Sequence, residues 1–149
     1  MENTDKYLIL IRGLSSSGKT TLADLICGDQ DSRISVSVDD YFYDEDDNYE
    51  FVPSELKKAH LWCRQETEIC MEQGFDVVIV HNTFVRAWEV EPYLKLAENR
   101  GYRVIISSLY DNGFSDAVLS ARSDHGVQIH NIRRQRARWD INVFNPRFR

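Results

Sequence analysis

The sequence predicts an α/β fold: a three-layer sandwich with a mainly parallel sheet at its centre, completed by an arginine-bearing helical lid. Three observations carry this. Four short apolar, β-branched runs alternate with segments whose apolar residues recur at helical spacing. The first run, Tyr7-Leu8-Ile9-Leu10-Ile11, has no polar alternation, as expected of a strand buried on both faces. The resulting order, β-α-β-α-β-α-β, places crossover helices on both faces of a parallel sheet.

Each element has its own signal. The first strand stops at Gly13. After a serine- and glycine-rich stretch, residues 20–27 form a short helix closed by Gly28, a favoured residue just past a helix end. Ile34 to Val38, β-branched with interleaved serines, is the second strand and ends at the pair Asp39-Asp40. A long aromatic and acidic loop, 41–53, follows. Ser54 to Gln73 is a long helix with Ser54 as its cap, Gly74 as its stop and Leu56, Ala59, Leu61, Cys63, Ile69 and Cys70 as its apolar positions. Residues 76–80 make the third strand, 87–99 a helix closed by Gly101, and 102–108 the fourth strand. Asp111-Asn112-Gly113 is a turn, two arginine-bearing helical stretches lie near 115–123 and 128–139, and the tail from Asn142 is irregular.

At 149 residues the chain is expected to be one domain, with a core at about 7–110, a lid and basic helix at about 113–139 and a tail at 140–149. A hydrophobic share of 42% and a charged share of 28% exclude a disordered chain, and no apolar run reaches the ~18 residues of a membrane span. The polar N-terminus lacks a secretory pattern, so a cytoplasmic location, in a host cell if the source is viral, is the expectation, with no membrane partner. Cys27, Cys63 and Cys70 contain no C-x-x-C pair and read as small buried hydrophobes. The net charge of −6 is uneven. Residues 1–99 hold 9 basic and 20 acidic side chains, residues 100–149 hold 9 basic and 4 acidic, so the second segment carries the anion-seeking character.

Gly13-Leu14-Ser15-Ser16-Ser17-Gly18-Lys19-Thr20 matches the phosphate-binding pattern G-x-x-x-x-G-K-[ST] at every fixed position and lies between a strand and a helix, where that loop must be. The sandwich is therefore expected to be of the P-loop NTPase kind. Glycines let backbone N–H groups turn inward around a phosphate, and the helix of Thr20 and Thr21 adds its N-terminal dipole. Lys19 is expected to neutralise the β- and γ-phosphates of ATP, and Thr20 to offer a hydroxyl to Mg²⁺.

The absence of N-K-x-D leaves guanine recognition unsupported. Asp39 and Asp40 stand at the carboxyl end of a strand expected beside the first, where ligands bind in open α/β sheets, so a carboxylate here can take the proton of an attacking hydroxyl. The competing reading is a solvated acidic loop or a helix cap. Asp39 is the stronger candidate.

With the phosphate loop, Ser37-Val38-Asp39-Asp40-Tyr41 and Val80-His81-Asn82-Thr83, residues 7–139 resemble polynucleotide-kinase-like P-loop kinases, which include phage 5′-hydroxyl polynucleotide kinases and phage kinases of hydroxymethylated pyrimidines in DNA. The resemblance implies that Asp39 is the general base, that Asp40 and Tyr41 adjoin the acceptor, that Arg122 on the lid braces the transferring phosphoryl group and that His125 is a second lid contact. Three positions depart from the family pattern: Phe42 replaces an arginine that holds an acceptor phosphate, His81 replaces an aspartate, and His125 stands where an arginine is common.

Arg134 and Arg138 share a face of the last helix, available to a phosphate backbone or simply to water. The rings of Tyr41, Phe42, Tyr43, Tyr49 and Phe51 could stack on an extruded base or pack on the long helix. The expected function is ATP-dependent phosphoryl transfer to a hydroxyl of DNA or another nucleic acid, with a small-molecule or nucleoside kinase, or a non-catalytic ATP-binding module, as rivals. Oligomeric state is not legible.

Overall fold

A computed structural model describes residues 5–143, and every structural statement below concerns those residues. The irregular tail expected from Asn142 onward falls mostly on 144–149 and lies outside the described residues. Strand β1 spans Tyr7–Gly13, helix α1 Lys19–Cys27, β2 Arg33–Val36, α2 Leu56–Glu72, β3 Val77–Asn82, α3 Ala87–Arg100, β4 Arg103–Tyr110, α4 Asp116–Arg122 and α5 Ile129–Arg138. The expected alternation is present, and all four strands are parallel.

The sheet order is β2-β3-β1-β4, which corrects the expectation that the second strand lies beside the first. Side-chain polarity accounts for the order. β1 and β3 are the most continuously apolar strands and take the two central places, where both faces are covered. β2, with exposed Arg33 and half-buried Ser35, tolerates an edge. Leu8 and Leu10 of β1 and Val78 and Val80 of β3 point to the face covered by α2 and α3. Ile11 and Ile79 point to the opposite face, where Ala23, Leu22 and Ile26 of α1 cover them. This period-2 partition makes the three layers.

Helix α2 buries Ala59, Cys63, Thr67, Cys70 and Met71, a stripe of small and soft side chains that lets the helix lie close to the sheet. Leu56, Leu61 and Ile69, three of the residues that announced the helix, are on its outer side. Cys63 and Cys70 are buried as expected, whereas Cys27 is only half-buried, and all three are free thiols.

A separate small core, Leu14, Leu119 and Ile132, joins the phosphate loop to α4 and α5, with Tyr110, Phe114, Val127 and Trp139 around it. Beside it, Arg12 is 1% exposed. Its guanidinium donates to the carbonyls of Phe84 (3.0 and 2.8 Å) and Val85 (3.2 Å) and lies 3.7 Å from the centroid of the Trp139 ring. Burial lowers its pKa to about 10, against the attraction of Asp140 and Glu89. Among the described residues, no helix is long and apolar enough to cross a membrane.

Candidate active site

Parallel pairing brings the carboxyl ends of all four strands to one edge of the sheet, and the loops leaving that edge enclose a cavity of about 470 Å³. One wall is the phosphate loop. At Gly13 a side-chain carbon would collide with the Ser17 hydroxyl, so this position needs glycine for space. Gly18 needs it for conformation, at φ 106°. Leu22 N donates to Gly18 O (3.0 Å) as the α1 ladder begins, so the amides of Lys19, Thr20 and Thr21 precede it, the position from which helix N-termini bind anions.

Lys19 folds back over this loop and donates to the carbonyls of Gly13 (3.0 Å) and Leu14 (2.9 Å). Burial lowers its pKa to about 8, and the Asp39 carboxylate works in the opposite direction. Ser15, Ser16, Gly18, Thr20 and Thr21 line the cavity beside it. Gly13 and Ser17 are buried beneath and shape the loop from below.

The opposite wall is a 3-10 turn, Val38–Phe42, rather than the strand end and open loop expected from the sequence. The reason is local. Ser37 and Asp40 form a reciprocal cap in which Ser37 N donates to Asp40 Oδ2 (2.9 Å), and Val38 N donates to Asn82 Oδ1 (2.8 Å). The two aspartates thus part company. Asp40 is held by the cap and lies off the cavity, while Asp39 lines it with its side chain 54% exposed.

Asp39 Oδ1 accepts from the Tyr49 hydroxyl (3.2 Å), and its Oδ2 is 3.5 Å from His125 Nδ1. The His125 ring stacks on Tyr49, centroids 3.9 Å apart and planes 12° apart, with Nε2 3.0 Å from the Tyr43 hydroxyl. Arg122, at the end of α4, donates to Ser16 O (3.3 Å) and lies 4.3 Å over the Phe114 ring.

His81, Asn82 and Thr83 form the floor. β3 runs two residues further than predicted, so His81 and Asn82 belong to the strand itself. His81 is buried, and burial lowers its pKa, with Asp40 opposing and Lys19 reinforcing. The imidazole is accordingly neutral near pH 7. Phe42 is buried in an edge-on cluster with Tyr41 and Phe51 and does not face the cavity.

Two other predicted residues are not brought to the cavity. Tyr41 packs against Trp62 and donates to Glu55 (3.4 Å), and Arg134 is exposed on α5. Conversely, sequence reading missed Gln135, whose amide grips Ser15 at both ends: Ser15 N donates to Oε1 (3.0 Å) and Nε2 donates to Ser15 Oγ (2.8 Å). It also missed His60, which lines the cavity from α2, and Asn112, which donates to Ser17 O (3.1 Å). No spacing rule marks these residues, because Gln135 and Asn112 meet their partners across the fold and His60 reaches the cavity from a helix distant in sequence from the phosphate loop.

No cluster of three or more metal-ligating side chains occurs among the described residues. A magnesium ion, which keeps several waters and takes phosphate oxygens, suits such a site. Thr20, exposed in the cavity next to Lys19, is the side chain placed to add a hydroxyl ligand.

Residues 8–140 match the family model of the AAA domain. Human NEDD4-binding protein 2 is 35% identical over 129 residues, which are 85% of this chain but 7% of that protein. A chain of the Pnkp1/Rnl/Hen1 RNA repair complex superposes with a TM-score of 0.68 at 14% identity, covering 92% of this chain and 45% of that one. A gluconokinase from Sinorhizobium meliloti gives a TM-score of 0.55 at 13% identity, covering 93% and 77%. The three-layer fold is thus shared with a chain of an RNA repair complex and with a gluconokinase. The chain belongs to the AAA domain family.

Proposed function

We propose that the chain transfers the γ-phosphoryl group of ATP, with Mg²⁺, to a hydroxyl of a nucleic acid, either a 5′-hydroxyl or a hydroxymethyl group on a DNA base. The observation that carries this reading is that Lys19, Arg122 and Asp39 line one cavity from opposite walls. Lys19 and the amides opening α1 would hold the donor phosphates. Arg122, freed from Ser16 O, would brace the three oxygens of the group in flight. Asp39 would accept the acceptor's proton as its oxygen bonds to phosphorus and the bond to the ADP oxygen breaks; that proton then passes to solvent. Asn82 supports the role of Asp39 by pinning the start of its turn.

Bound Mg²⁺ would supply charge neutralisation and orientation of the phosphates, with Thr20 as its protein ligand. The test is incubation with γ-labelled ATP and a panel of 5′-hydroxyl oligonucleotides, hydroxymethylpyrimidine DNA, nucleosides and sugars. Label on a nucleic acid, with affinity falling steeply as salt rises, supports the reading. Label on sugars alone, or ATP retention with no transfer to any hydroxyl, overturns it.

A second reading, a nucleoside or small-molecule kinase, is favoured by one observation. Among the described residues lining the cavity, the lysine and arginine side chains are Lys19 and Arg122, both engaged with the phosphate loop. Label on free nucleosides in preference to oligonucleotides would support it.

A further inference from the structure

The acceptor end of the cavity has a composition of its own. Val38, Tyr49, Phe51 and Leu56 line it with apolar and aromatic surface, although Phe51 and Leu56 remain 46% and 39% exposed. The carboxylates of the cavity are Asp39 and Asp124, whereas its lysine and arginine, Lys19 and Arg122, are tied to carbonyls of the phosphate loop, so a phosphate or sugar acid beside Asp39 meets repulsion. A flat heterocycle meets no such repulsion.

A ring already occupies that place. His125, on the connection between α4 and α5, lies parallel to the Tyr49 ring at 3.9 Å and presents Nδ1 at 3.5 Å from Asp39 Oδ2. Tyr49 is itself bonded through its hydroxyl to the other oxygen of Asp39 (3.2 Å). The face of Tyr49 and the carboxylate are therefore one hydrogen bond apart, so a heterocycle seated on that face carries its substituents to Asp39.

Resting on the reading of Asp39 as the group that activates a hydroxyl, we propose that the acceptor is a hydroxyl-bearing nucleobase or nucleoside that stacks on Tyr49 in place of His125 and is held by its ring rather than by a phosphate. Free nucleosides and unpaired bases of a nucleic acid share this chemistry. Stacking also explains how an acidic end of the cavity can retain an acceptor, since ring attraction does not depend on a countercharge.

The experiment is a fluorescence titration of the full chain, with magnesium and a non-hydrolysable ATP analogue, against 2-aminopurine riboside and a single-stranded oligonucleotide carrying 2-aminopurine. Both probes are quenched on stacking. Tyr49→Leu should weaken binding roughly 5- to 150-fold, the range for one base on one aromatic side chain, and Tyr49→Phe should restore it. His125→Ala, which vacates the seat, should tighten binding roughly 2- to 12-fold. Tight riboside binding identifies a free nucleoside as the source, and binding of the oligonucleotide alone identifies a nucleic acid.

Unchanged binding by Tyr49→Leu overturns the ring seat, and weaker binding by His125→Ala overturns the exchange. The outcomes remain separable from those of the phosphotransfer reading. Tyr49-dependent quenching without transfer to any hydroxyl keeps the seat and overturns the activity. Transfer with an acceptor KM indifferent to Tyr49→Leu keeps the activity and overturns the seat.

Discussion

The two walls of the cavity are built differently. On the phosphate-loop side, Lys19 itself meets carbonyls only five and six residues away, although Gln135, Arg122 and Asn112 fasten the loop from distant segments. On the Asp39 side, the local Ser37–Asp40 cap is supplemented by contacts between distant segments, with His125 meeting Tyr43 across 82 positions and Val38 meeting Asn82 across 44. A side chain held by neighbouring carbonyls, as Lys19 is, is placed whenever the strand and helix beside it form. A contact between distant segments exists only in the finished fold and can change partners without unfolding the rest.

The largest effect should come from breaking the phosphate-loop wall. Lys19→Ala removes the cation from the phosphate cradle, and transfer of label from ATP should fall below detection, with binding of an ATP analogue weakened in parallel. Asp39→Asn should instead separate the walls. Turnover should drop ~10²–10⁴-fold, the usual loss for a missing general base, while affinity for the ATP analogue stays within about threefold. Equal loss of nucleotide binding in the two variants would show that the walls do not divide the labour as described.

Smaller effects sharpen the comparison. Arg136 donates to Asp111 (2.7 Å) and Asp116 (2.8 Å) and ties α5 to the start of α4 and the turn before it. Arg136→Ala should cost about 1–3 kcal/mol in denaturant unfolding, because both carboxylates lose a charged donor at once. Gln135→Ala frees Ser15 from α5 and should weaken ATP-analogue binding about fivefold, roughly one hydrogen bond's worth, with a matching small fall in Tm.

The pH dependence of nucleotide affinity follows from Lys19. Burial lowers its pKa to about 8, whereas adjacent phosphates favour the charged form, so above that pH binding must take up a proton. Affinity should therefore decline as pH rises through 8, by at most about tenfold per unit. Calorimetry in buffers of different ionisation heat should show the uptake growing between about pH 7 and pH 9.

The same contrast governs what the sequence could reveal. The phosphate loop was legible residue by residue, because its geometry is imposed by glycines and a lysine at set spacing, and so were the four strands and most helix limits. The order of the strands was misjudged because adjacency depends on which strands are covered on both faces, and the exposed Arg33 and half-buried Ser35 of β2 were a signal left unweighed. The sequence ranks Asp39 above Asp40 without showing what separates them. The cap that takes Asp40 out of the cavity could have been inferred from Ser37 and Asp40, three positions apart, had the segment been read as a helical turn. Gln135 and Arg12 carried no local mark, since their partners are 120 and 72 residues away.

Arg12 has one more implication. It precedes Gly13 directly, and its guanidinium is clasped between Trp139, just past the last helix, and the carbonyls that follow β3. A mechanical load arriving at Trp139 would be delivered through that clasp to the end of β1, at the root of the phosphate loop.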